Sequence, residues 1–307
     1  MSPSGQQHDD GSEEADAHLS ATISATQHPH VHAILSAISS SAIEQLSSLL
    51  EQSSSDEAEK KAYPSPSREH MLGFAASQNQ PLALSYLLRR SPSKEDVTPG
   101  LLRACSQHIE CYKALIEIHP HALQFGLGHV GDIFGGAALD GNLEFMRYMA
   151  NEKSWNIDIN ESEIFHRPTL QYLAEYGKIE VLRCMLTECA PERLRVRETD
   201  AIRAAIRGRN MDNLRCLLEH APEGTKAVVD GWPVKESKYE FEVKERRERG
   251  WDVPNLHYAA NVGNTEAIQI LLDAGADVGL RDGEGKTAKI GTLVRNRKAV
   301  GSRCSIM

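Results

Sequence analysis

Aromatic side chains are scarce in this 307-residue chain, at 6% of the total, with only three tryptophans. Cysteine is also sparse: six residues, no two of them in a C-x-x-C pair. That excludes a disulfide framework and a zinc ribbon, and makes a reducing compartment the expectation. No run of about 18 or more apolar residues exists, and the N-terminus lacks a basic-then-apolar leader, so neither a spanning helix nor a secretory signal is expected. An excess of positive charge is missing too. Lys and Arg number 34 against 43 Asp and Glu, a net charge of −9, which argues against general affinity for nucleic acid. The length fits two domains of about 150 residues or one extended repeat array, and few aromatics suit helices packed through Ala, Leu and Met.

What is present begins with a polar, acidic stretch. Residues 1–30 read as a disordered tail, because the first 27 offer almost no large apolar side chain to offset the entropy of ordering. A second low-complexity stretch, SSSDEAEKKAYPSPSRE at 53–69, reads as a mobile linker or long loop.

Between these the chain returns to one pattern, clearest in NLHYAANVGNTEAIQILLDAGADVGLRDGEGKTA. Leu256, Ala259 and Ala260 open one short helix, and Ile268, Leu271 and Leu272 form the apolar stripe of a second. Gly263 separates the two, Gly275 supplies the positive φ that ends the second, Asp282 and Gly285 suit a tight turn, and Thr287 can cap a following helix. The segment resembles an ankyrin repeat, a unit of about 33 residues built from turn, helix, helix and loop. It departs from that pattern where Pro254 and Asn255 stand in the places of the family's Thr-Pro. There Pro254 can pre-set φ at the helix start.

Weaker copies lie upstream. Ile202, Ala205, Leu214, Leu217 and Leu218 take the equivalent places in one; Leu170, Ala174, Gly177, Leu182, Met185 and Leu186 in another; Ala137, Ala138, Gly141, Met146 and Met149 in a third. LLRACSQHIECYKALIEI, LGFAASQNQPLALSYLL and AILSAISSSAIEQLSSLL complete about seven units. The stripe residues Leu49, Leu87, Ile116, Met149, Met185, Leu217 and Leu271 are spaced 38, 29, 33, 36, 32 and 54 apart. The expected fold is therefore all-α, an ankyrin-type helical solenoid with disordered termini. Its degenerate repeats span 31–221 and a well-formed repeat with a partial cap spans 253–293. The outlying spacing marks a charged insertion at 222–252, where Tyr239, Phe241 and Val243 alternate with charges and Asp230-Gly231 is suited to turn a surface hairpin.

Motifs that suggest chemistry do not carry it. GLGHVG, with Gly126, Gly128 and Gly131, has the dinucleotide-binding spacing, but no apolar strand precedes it and DIFGGAALDGN after it reads as the first helix of a repeat. GEGKT lacks the first glycine of a phosphate loop, since Leu280 occupies that place, and so Gly285, Lys286 and Thr287 read as a repeat turn. His28, His30 and His32 read as solvent-exposed histidines at the edge of the tail. The resemblance makes His257 a structural hydrogen-bonding residue of the turn network. Cys105, Cys111, Cys184 and Cys189 fall at helical positions and read as core thiols. No catalytic constellation, metal site, cofactor or small-molecule substrate is expected.

The C-terminus differs in kind. Cys304-Ser305-Ile306-Met307 resembles a CaaX prenylation box, whose terminal methionine favours farnesyl. Residues 294–307 form a basic tail that includes Arg295, Arg297, Lys298 and Arg303, and from Gly283 onward the net charge is +5. A single lipid chain is marginal for stable attachment, and basic residues beside an anionic leaflet supply a second signal. The resemblance to the ankyrin repeat implies a non-enzymatic interaction scaffold, and the C-terminal motif implies that it is held at a cytoplasmic membrane face through farnesylated Cys304. The alternative is a soluble cytosolic or nuclear adaptor, such as a transcription co-regulator. By analogy with the family, partner contacts are expected around Trp251, Asn255, Arg281 and Lys286.

Overall fold

The computed structural model describes residues 28–52, 64–124, 126–151, 159–196, 199–221, 224–232 and 253–290. The chain divides at Phe125/Gly126 into two compact units. In the first, three helix pairs follow in order: α1 (Pro29–Ser39) with α2 (Ile43–Gln52), α3 (Arg68–Ser77) with α4 (Pro81–Arg90), and α5 (Pro99–Ser106) with α6 (Ile109–Ile118). In the second, four pairs follow: α7 (Ile133–Asp140) with α8 (Leu143–Asn151), α9 (Thr169–Tyr176) with α10 (Ile179–Thr187), α11 (Ala201–Arg207) with α12 (Met211–His220), and α14 (Asn255–Asn261) with α15 (Thr265–Asp273). A two-stranded hairpin, β1 (Glu163–Ile164) and β2 (Arg167–Pro168), precedes α9, and the short α13 (Thr225–Val229) follows α12. The all-α repeat class expected from the sequence is the class observed, with seven pairs among the described residues.

Within each unit first helices stack on first helices and second on second: α1, α3 and α5; α7, α9, α11 and α14; α8, α10, α12 and α15. Small residues permit this closeness. Ala137, Ala174, Ala205 and Ala259 are all buried on the first helices, while Met149, Met185, Leu217 and Leu271 fill the layer beneath. Two stripe positions shift by one residue: Leu50 and Leu115 are the buried ones, with Leu49 and Ile116 only half-buried. A helix turns 100° per residue, so an off-by-one choice lies at the edge of the apolar face, where burial is partial.

Asparagine ties successive repeats together. Asn264 Oδ1 caps α15 by accepting the Ala267 N–H (3.0 Å), and its Nδ2 donates to the Ile206 carbonyl at the end of α11 (3.1 Å). Asn213, in the first turn of α12, donates to the carbonyls of Leu173 and Gly177 (2.9 Å each). Each amide thus adds a donor to carbonyls at the end of the neighbouring repeat's first helix, where Ile206 and Leu173 also accept the N–H groups of Arg209 and Gly177.

Two sequence expectations are corrected. HPHVH opens α1: His28 is its N-cap, with Nδ1 accepting from the His30 N–H, Pro29 holds the first turn, and His30 is buried, while His32 is exposed as expected. In the 222–252 insertion, Asp230-Gly231 does not turn a hairpin but ends α13, with the Gly231 N–H on the Val228 carbonyl. Val228 and Val229 are fully buried, α13 packs on α12, and Asp230 Oδ1 accepts the Asp277 N–H beyond α15. Burying two valines outweighs the turn preference of Asp-Gly. Tyr239, Phe241 and Val243 lie outside the described residues.

Candidate interaction site

The hairpin at 163–168 is seated by the loop before α7. Gly131 pairs with Ile164, Phe165 N–H donates to the Val130 carbonyl (2.9 Å), and Asp132 N–H donates to the Glu163 carbonyl (3.3 Å). A Cβ on Gly131 or Gly135 would come within 2.0 or 2.1 Å of the Glu163 oxygen, so both must be glycine for the hairpin to dock. This accounts for the last glycine of GLGHVG without a nucleotide. Asp132 completes the joint: its carboxylate accepts the Gly135 N–H (2.7 Å), capping α7, and also the Ser162 hydroxyl (3.0 Å) and the Glu163 N–H (2.6 Å). Burial pushes this carboxyl above its ordinary value, against the pull of those donors.

At the tip, Phe165 and His166 both have positive φ, +50° and +60°, in a two-residue loop. That geometry matches the twist of the strands but normally calls for Asn-Gly. It presents the Phe165 ring to solvent, 47% exposed, where it meets Tyr172 on α9 at 5.7 Å between centroids. Tyr172 in turn meets Tyr176 one turn on, at 5.4 Å, and Tyr176 is 59% exposed. Tilted ring contacts at these distances contribute about 0.5–1.5 kcal/mol each and fix the rings in place. The result is a continuous aromatic stripe from hairpin tip to helix end, in a chain poor in aromatics.

Beneath the stripe, Glu175 is buried and anchored by Arg167 (3.1 Å) and by Arg207 of α11. Burial opposes its ionisation, but the hydrogen bonds from Arg207 and Tyr176 hold the carboxyl below the usual range. Gly208 makes room, since a Cβ there would meet the Glu175 carbonyl at 2.5 Å.

Of the expected contact residues that are described, Asn255 is buried, whereas Arg281 and Lys286 share one exposed turn. Asn255 is buried, with Oδ1 accepting from Arg203 Nε (3.1 Å) and Nδ2 donating to the Val228 carbonyl (2.9 Å), so its side chain is withdrawn from any partner. Arg203 is itself only 3% exposed, lies over the Tyr258 ring at 5.2 Å, and reaches the Val253 carbonyl. Arg281 and Lys286 are exposed on a tight turn closed by the Arg281–Thr287 bridge, in which Asp282 Oδ1 accepts the N–H groups of Glu284 and Lys286. His257 Nε2 lies 2.9 Å from the Lys286 carbonyl, as its turn-network role requires. Within the described residues no helix follows Thr287. Trp251, Arg295, Arg297, Lys298, Arg303 and Cys304 lie outside the described residues.

Helix pair α14–α15 and the turn after it coincide with a known family pattern. Residues 256–283 match the family model of the ankyrin repeat. Several solved ankyrin repeat structures are similar to this chain. The human ASB11 ankyrin repeat domain is 21% identical, with 74% of this chain and 96% of that chain covered and a TM-score of 0.47. The ankyrin repeat domain of Bcl-3, described as a unique member of the IkappaB protein family, is 14% identical over 77% of this chain and 86% of that one, with a TM-score of 0.46. The ankyrin repeat protein EF0377 is 17% identical over 77% and 95%, with a TM-score of 0.38. A search of curated proteins gives no match.

Aligned on its stripe, His257 corresponds to Arg203 and Gln171 in the two preceding helix pairs, and all three side chains are buried. Phe165, Tyr172 and Tyr176 escaped the sequence reading. The available signal was a Tyr pair at i, i+4 spacing directly after a Phe-His-Arg-Pro turn.

Proposed function

We propose that the chain is a non-enzymatic protein–protein interaction scaffold whose partner seats on the Phe165–Tyr172–Tyr176 stripe, and which is tethered to a cytoplasmic membrane face by farnesylated Cys304. The stripe carries the first half of this reading: two of its three rings stand in solvent, held by a hairpin tip that gains nothing for the core from exposing them. Rigid aromatic side chains give large contact area for little loss of freedom, which is why they dominate binding hot spots. Arg167 and Arg207 at its margin suit a partner that brings acidic groups beside an apolar side chain.

The terminal Cys-Ser-Ile-Met supports the second half, with Arg295, Arg297, Lys298 and Arg303 each adding about 1 kcal/mol near an anionic leaflet. One experiment separates the halves. An N-terminally tagged chain, its Cys304→Ser variant and a Phe165→Asn/Tyr176→Ser variant are expressed in a eukaryotic cell, and intact mass, membrane fraction and co-purified proteins are compared. Cys304→Ser loses the farnesyl mass and becomes soluble; the stripe variant keeps both and loses its co-purified proteins. An unmodified wild-type mass overturns the tether, and an unchanged set of co-purified proteins overturns the stripe.

A further inference from the structure

Cys184 sits in the last turn of α10 and Cys189 just past its end. The Cys189 N–H reaches back to the Cys184 carbonyl (3.2 Å), which also accepts the Glu188 N–H (2.9 Å), so the chain folds over the helix terminus and lays the two side chains together. Their sulfur atoms are 3.8 Å apart, and both thiols are buried. Beside them α8 and the end of α10 are clasped by the Arg147–Glu188 ion pair (2.6 Å), both partners about half exposed, and by Asn151 Nδ2, which donates to the Arg147 and Glu188 carbonyls.

The two thiols are not equivalent. The hydrogen bond from Cys189 and the charge of Arg147 hold Cys184 below the ordinary thiol value, with burial opposing them. The same hydrogen bond, with burial, pushes Cys189 up. Burial first of all raises Cys105, Cys111 and Cys216 as well, Cys111 to about 11. Among the described cysteines Cys184 alone is held below the ordinary thiol value, and its neighbour is held above it.

We propose that Cys184 and Cys189 form a modification site, a dithiol that hydroperoxides convert reversibly into an intramolecular disulfide. The Cys184 thiolate attacks the terminal oxygen of the hydroperoxide and the O–O bond breaks. Cys184 becomes a sulfenic acid, and the departing alkoxide or hydroxide takes a proton to leave as alcohol or water. The Cys189 sulfur then attacks the Cys184 sulfur, giving up its proton, and expelled hydroxide leaves as water. Two thiols lose two electrons and two protons, and one hydroperoxide is reduced. A low-molecular-weight thiol reverses the step by exchange. Closing from 3.8 Å to the bonded distance of about 2.05 Å asks for a shift of under about 2 Å at a helix end, where no intrahelical bond beyond Cys189 has to break.

The test uses the full chain. Trypsin cuts after Arg183 and Arg193 and releases both cysteines in one peptide, CMLTECAPER. The folded, reduced protein is titrated with hydrogen peroxide, alkylated and digested. The expected result is a form of this peptide lighter by two hydrogens and closed to alkylation until a reductant is added, appearing before any change at Cys105, Cys111 or Cys216. In a Cys189→Ser variant, checked for helicity, Cys184 is instead trapped by dimedone as a sulfenic acid, and an Arg147→Gln variant oxidises several-fold more slowly. The proposal is overturned if the peptide stays fully alkylatable while other cysteines react, or if the closed form arises only after denaturation.

Discussion

The guanidinium of Arg207 grips the carboxylate of Glu175 from the next repeat, donating from both Nε and Nη2 to a buried acceptor. Arg167 holds the same oxygen from the hairpin side, so one carboxylate joins hairpin, α9 and α11. A Glu175→Gln substitution keeps the size and removes the charge. It is expected to lower stability by about 1–3 kcal/mol, read as a shift in the urea midpoint, because two part-buried arginines lose their anion. An unchanged midpoint would show the pairs to be neutral in effect.

Gly208 and Gly73 separate two reasons for a glycine. At Gly208 a methyl group would strike the Glu175 carbonyl, whereas around Gly73, inside α3, nothing lies within 4 Å. Gly208→Ala should destabilise by about 1–3 kcal/mol through forced backbone movement. Gly73→Ala should stabilise by roughly 0.5–1 kcal/mol through helix propensity. Chemical denaturation of the two variants must give opposite signs.

The first unit should lose stability on mild acidification. His119 is buried 3.6 Å from Asp96, which Arg68 clasps at 2.6 and 2.9 Å. Burial lowers His119, with Asp96 opposing and His121 and Arg68 assisting; Asp96, despite its burial, is held down by Arg68. Both values being depressed, both contributions are complete above the unfolded value, about 6.5 for the histidine. The histidine contribution falls away first as pH drops through its folded value, and the aspartate contribution goes at lower pH. His119→Gln should flatten the change in urea midpoint between pH 7.5 and 5.5; an unaltered slope would remove His119 from the account.

Asp132 should matter to the hairpin more than to its own helix. Asp132→Ala removes a helix cap, costing about 1 kcal/mol, together with the acceptors of Ser162 and the Glu163 N–H. Hydrogen exchange at Glu163 and Phe165 should accelerate more than at Gly135 and Gly136. Equal acceleration would mean that the carboxylate serves only as a cap.

Much of this architecture was legible because helix packing leaves a periodic trace. LHYAA, a Gly-Asn break and ILLDAGAD announce α14 and α15 directly, and the same Ala and Leu spacing, worn down, finds the earlier pairs. The hairpin left no such trace. Its tip carries Phe165 and His166 where turn chemistry calls for Asn-Gly, so local propensity pointed away from a turn that docking on Gly131 enforces. Asn255 shows the opposite failure. Its position suggested surface, but its burial is decided by Val228 and Arg203, 27 and 52 residues away, which no local pattern encodes. The valines of α13 overrode an Asp-Gly signal for the same reason, through packing against a helix that precedes them.

The left-handed tip bears on how this protein could be engineered. Two non-glycine residues held at positive φ, one of them a phenylalanine, cost on the order of 1–3 kcal/mol each. Replacing them with Asn-Gly would be the obvious route to a hardier molecule, and it would erase the ring that heads the aromatic stripe. If the stripe binds a partner as proposed, thermal robustness and recognition are set against each other at two adjacent residues, and a stability screen run without a binding assay would select for chains that have lost their grip.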